Sequence, residues 1–160
     1  MTPSSSRTAL CILAGGFSAG ALDMLSACAT FVPRGVSAEH MLQYLASAVI
    51  GLRAFSGGMA AAALGLAVHF FLTTLMAAVF VLASRRFVTL SLRPWVWGPA
   101  YGAVICVVMN YIAVPLSLAP NWKPPAGWEF VGALLASCLY VGLPIASITA
   151  YFARVNKNVI

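Results

Sequence analysis

Four apolar stretches, each about long enough to cross a bilayer, fill most of this chain of 160 residues. They run over 9–32, 57–83, 95–116 and 130–152. A membrane helix needs about 20 apolar residues, because each residue rises about 1.5 Å and the hydrocarbon core is about 30 Å thick. The expected fold is therefore an all-α membrane protein. It is a bundle of four transmembrane helices plus one short interfacial or re-entrant amphipathic helix over 37–52, with 1–160 as a single transmembrane domain.

Composition agrees. Hydrophobic residues make up 62% and charged ones 8%, against about 25% charged in a typical soluble domain. So few charges could not cover a water-facing surface, and the crossings leave little chain for a soluble catalytic domain. The net charge of +6 comes from basic residues scattered at the ends of the spans, with no run beyond Arg85-Arg86. Topology and lipid headgroups account for that pattern, and no nucleic-acid partner is expected. Cys11, Cys28, Cys106 and Cys138 all lie in apolar segments, without a CxxC or a Cys/His pair at metal spacing. They read as small hydrophobes, so neither disulfide, metal nor cofactor is expected.

The first segment has the outline of an export signal: Arg7, an apolar run, then Leu25-Ser26-Ala27-Cys28, which looks like a lipobox. Asp23 interrupts the apolar core such a signal needs, and Gly15, Gly16 and Gly20 dilute it, so an uncut span is the preferred reading.

Beyond the Pro33-Arg34-Gly35 break, Ser37 can cap a helix and Glu39 suits its first turn. Met41, Leu42, Leu45, Ala48, Val49 and Leu52 then fall on one face, leaving Glu39, His40, Gln43 and Ser47 on other sides. At roughly 24 Å this helix is too short to cross. Trp95, Trp97 and Tyr101 suit one membrane boundary and Trp122 and Trp128 the other. Pro144 should kink the last span. Arg7, Arg85, Arg86, Arg93, Arg154 and Lys157 fall on one side and Arg34, Arg53 and Lys123 on the other, which places both termini in the cytoplasm.

Three polar residues stand inside the spans: Asp23, His69 and Asn110. An ionisable group near the bilayer centre costs at least about 2.5 kcal/mol, so such groups face protein or water. Each shares a helical face with small residues: Asp23 with Gly16, Ala19 and Gly20, His69 with Ala62 and Gly65, Asn110 with Gly102 and Cys106. Such faces, with Gly16, Gly20, Gly65, Gly98 and Gly102 as packing glycines, are how membrane helices approach closely. At depths of roughly 12, 18 and 9 Å, Asp23, His69 and Asn110 could meet in one half of the bundle. The plainer reading is a cross-link, Asp23 bonding to Asn110 or His69; the sharper one is an ion relay or a polar pocket. Arg34, Glu39, His40 and Arg53 form a second polar group on the outer loop, read as a solvated helix end with ion pairs, or as a mouth for an anionic solute or headgroup.

The run Gly16-x-x-x-Gly20-x-x-Asp23, then Leu42-Gln43-Tyr44-Leu45-Ala46-Ser47, Ala54-Phe55-Ser56-Gly57-Gly58 and His69-Phe70, is similar to a family of small, uncharacterised bacterial inner-membrane proteins with four predicted spans. So is Val108-Met109-Asn110-Tyr111 with Val114-Pro115-Leu116-Ser117. The resemblance covers most of the chain. It implies a location and a topology, and no activity.

No nucleophile–base pair, metal motif or phosphate loop occurs, so no enzyme is expected. The expectation is a non-enzymatic structural or accessory protein in contact with the lipid bilayer, associating through its glycine faces with a second copy or another membrane protein. The alternative is a small oligomeric channel or transporter built on the Asp23, His69 and Asn110 site.

Overall fold

The computed structural model describes residues 5–157, with side chains to residue 155. The outermost parts of the polar ends, 1–4 and 158–160, and the side chain of Lys157 lie outside the described residues. The helices are α1 (Ser5–Phe31), α2 (Ala38–Ile50), α3 (Gly58–Arg86), the short α4 (Thr89–Leu92), α5 (Pro94–Leu116) and α6 (Gly127–Val155). Four of them, α1, α3, α5 and α6, are long and apolar enough to cross a membrane. In each, no more than 28% of the most apolar window is buried inside the protein. Leu25, Phe71, Trp95 and Leu116 point outward. Most of the apolar surface is therefore satisfied only by lipid, and the chain is a multi-pass membrane protein.

Local sequence explains where the helices stop. Pro33 turns the end of α1 into a tight turn, and Gly35 closes it at φ 86, donating its N–H to the Val32 carbonyl. Ser37 then caps α2 by accepting from the His40 N–H.

The core forms where α1 packs on α3 and α6, and α5 on α6. Ala19, Ala77, Phe80, Ile105, Val141, Ile145 and Ala146 make its buried centre. The Tyr101 hydroxyl, donating to the Met76 carbonyl over 2.8 Å, ties α5 to α3. Glycines set the approach distances. A Cβ on Gly16 would lie 2.5 Å from the Thr74 Cα, and one on Gly102 2.5 Å from the Cys138 Cα. Gly20 and Gly98 are closed off in the same way by Thr73 and Leu143, and Gly65 lies against the Leu42 carbonyl. The sequence did not mark Gly142, yet it meets both Gly98 and Gly102, so three glycines form the α5–α6 contact.

Both later spans widen into a π-helical turn, Met109–Ala113 in α5 and Ser137–Gly142 in α6. Each sits just before a proline, Pro115 or Pro144. A proline has no N–H and its ring crowds the carbonyl four residues back, here Tyr111 or Tyr140, which lie inside the widened turns. The constraint of Pro144 is thus taken up by a looser turn.

The short helix turns its small and polar residues to the bundle, an orientation that suits a helix at the interface. Gln43, Ala46 and Ser47 are buried, whereas Val49 and Leu52, from the apolar face, are 51% and 70% exposed. The cause is its partner. The backbone of α2 presses on α3 at Gly65, and only a face of small residues allows that approach. Its bulky side chains are left for lipid. Leu52 lies beyond the helix, in the tight turn Gly51–Ser56.

Candidate functional site

Between α1, α2, α3, α5 and α6 lies a cavity of about 240 Å³, and Asp23, His69 and Asn110 all line it. It sits toward the end of the bundle that carries α2 and the α5–α6 loop, with Tyr44 and Ala48 of α2 and Ala119 of that loop in its wall. Most of the remaining lining is aliphatic, including Leu72, Ile105 and Val141.

The three polar residues converge without bonding to one another. His69, on α3, donates its Nε2–H to the Gly20 carbonyl of α1 over 2.9 Å; a carbonyl only accepts, which fixes the proton on that nitrogen. Asn110 donates its amide to the Cys106 carbonyl, one turn back on its own helix, over 2.8 Å. Asp23 has no hydrogen-bond partner among the described residues, and lies within Coulombic range of His69. The expected side-chain cross-link from Asp23 to His69 or Asn110 is therefore replaced by one from His69 to backbone. The close approach at Gly20, which a Cβ would block, brings that carbonyl within reach.

The widened turn in α5 has a second effect. It leaves the Asn110 carbonyl to accept from Trp122 Nε1 at 3.0 Å, which pins the α5–α6 loop over the site. The same loop is held to α2 by the Leu118 N–H on the Ala48 carbonyl at 3.1 Å. The Tyr44 and Trp122 rings face each other at 6.5 Å. Burial pushes the Tyr44 phenol above its ordinary pKa, so it faces the cavity as a neutral hydroxyl.

Arg34, Glu39, His40 and Arg53 share the end of the bundle that carries α2 but do not pair with each other among the described residues. Arg34 packs over the Phe31 ring at 5.8 Å, Glu39 accepts from Gln43 Nε2 at 3.1 Å, and His40 lies against Phe55 at 5.1 Å. The expected ion pairs are absent among the described residues. The only carboxylate of the group is already held by the buried Gln43, and Arg34 has an aromatic face within reach.

Sequence reasoning missed Tyr44, Ser137 and Trp122 as parts of the site. The small-residue face of α2, Ala46-Ser47, was the available signal for Tyr44: once that face packs inward, its neighbour turns to the cavity. Among the described residues no group of three His, Cys, Asp or Glu is arranged to hold a metal ion. Comparison with known proteins finds no matching family model, no matching curated protein and no matching solved structure.

Proposed function

We propose that this is a non-enzymatic protein of a bacterial inner membrane that holds a small solute between its spans and passes it as a channel or transporter, working as an oligomer. One observation carries the reading. Asp23, an ionisable residue in a span, faces a cavity and makes no hydrogen bond to the bundle among the described residues. A carboxyl that served only to fasten helices would be bonded to one of them. The resemblance to small four-span inner-membrane proteins supports the location, and the excess of basic residues at the end that carries Arg85 and Arg86 supports cytoplasmic termini.

The test is reconstitution into liposomes holding a pH indicator, with a salt or amine gradient imposed. Flux above that of empty liposomes, lost in Asp23→Asn while circular dichroism and melting temperature stay the same, is the expected result. A second reading, a structural or accessory protein, is favoured by the glycine contacts and the His69–Gly20 bond. It predicts no flux and no difference between wild type and Asp23→Asn.

A further inference from the structure

We infer that the ligand class of this cavity is a small organic ammonium cation with an apolar body, held by Asp23. The inference rests on the cavity being a solute site, and goes further by assigning the charge and shape of what fits.

The donors and acceptors of the lining decide which ligand class fits. Three of the lining donors are engaged by backbone carbonyls, which can only accept: His69 Nε2–H by Gly20, one Asn110 amide N–H by Cys106, and the Thr73 hydroxyl by Phe70 at 3.2 Å, while the Tyr44 and Ser137 hydroxyls can donate or accept. What those residues have left is mostly accepting: the Asn110 Oδ1, the Thr73 oxygen lone pairs and, in the neutral imidazole, His69 Nδ1. Asp23 adds a carboxyl with no protein partner, while no Lys or Arg lines the cavity. A site rich in acceptors, with one acid and no fixed cation, attracts a donor-rich positive group and repels an anion.

Size and polarity then separate an organic cation from a bare metal ion. About 240 Å³ is room for on the order of eight non-hydrogen atoms, at about 30 Å³ for each water-sized group. Hard metal ions need six or more oxygen ligands, and a lining that is mainly aliphatic does not supply them. An apolar body covers Leu72, Ile105 and Val141 while its ammonium group meets Asp23. Tyr44, in the wall nearest the loop, adds an aromatic ring to the lining, the kind of group a cation is attracted to.

Benzylammonium is the probe, with benzyl alcohol as its neutral isostere, benzoate as the anion, and potassium and magnesium chloride as inorganic cations. Binding to the detergent-solubilised protein is read by the shift in melting temperature and by equilibrium dialysis. Benzylammonium is expected to bind, benzyl alcohol to bind about ten- to hundredfold more weakly, and benzoate not at all. Asp23→Asn should remove that preference while keeping its helical signal, and Asp23→Glu should restore part of it. If benzyl alcohol or benzoate binds as well as the amine, or Asp23→Asn changes nothing, the cation assignment is overturned and the cavity remains a solute site. If only the metal salts act through Asp23, the organic assignment is overturned. If no probe binds, the solute site itself falls.

Discussion

His69 and Asp23 carry out different tasks on adjoining helices. His69 is 9% exposed and joins α3 to α1 through the Gly20 carbonyl. Hydrogen bonds between membrane helices contribute about 0.6 kcal/mol on average and up to about 1.7. His69→Leu should therefore lower the melting temperature in detergent by a few degrees, whereas Asp23→Asn, which breaks no bond to the bundle, should leave it nearly unchanged. A thermal melt of both variants decides this; an equal drop would mean that Asp23 is structural. Glycines allow a sharper contrast. Gly65→Ala drives a methyl into the Leu42 backbone, which cannot rotate away, and should cost about 1–3 kcal/mol. Gly132 has nothing within 4 Å of its would-be Cβ, so Gly132→Ala should be neutral or stabilising by up to about 1 kcal/mol. Denaturant titration of the two variants measures the difference.

At the scale of elements, α2 decides what the site looks like, because it presents its small and polar side to α3 and its bulky side to lipid. A nitroxide label at Val49→Cys should collide freely with dissolved oxygen, as lipid-facing sites do, and one at Ala46→Cys should be shielded. The reverse pattern would restore the conventional amphipathic orientation. The long spans were legible because their signal is run length, which no packing detail can alter. The Pro33-Arg34-Gly35 break and the Ser37 cap were legible because both are local chemistry. The convergence of Asp23, His69 and Asn110 could also be read, since each shares a face with small residues. The facing of α2 could not, because apolar periodicity marks a surface without saying whether protein or lipid covers it. Nor could the bonding within the site, which depends on the Gly20 carbonyl, a group every residue has. Gly142 and the widened turns before Pro115 and Pro144 escaped for a similar reason: their meaning lies in the neighbouring helix.

For the whole molecule, the distribution of charge predicts which end of the bundle faces outward. The described basic residues Arg7, Arg85, Arg86, Arg93 and Arg154 gather at one end, and Glu39 and Glu129 accompany Arg34, Arg53 and Lys123 at the other. The retention of Lys and Arg on the cytoplasmic side orients short-looped proteins, so the end bearing α2 and the α5–α6 loop should face outward. The cavity lies nearer that end, beneath Tyr44 and Ala119, and a cation arriving from outside would reach Asp23 without crossing the full hydrocarbon core. Single-cysteine chains, with the four native cysteines replaced, test the orientation. Ser56→Cys, exposed beside Arg53, should react with an impermeant maleimide in intact spheroplasts. Phe87→Cys, exposed after the Arg85-Arg86 pair, should react only once the membrane is opened. Labelling in the opposite order would turn the molecule over. The cavity would then open to the cytoplasm, and its ligand would have to be sought among internal amines.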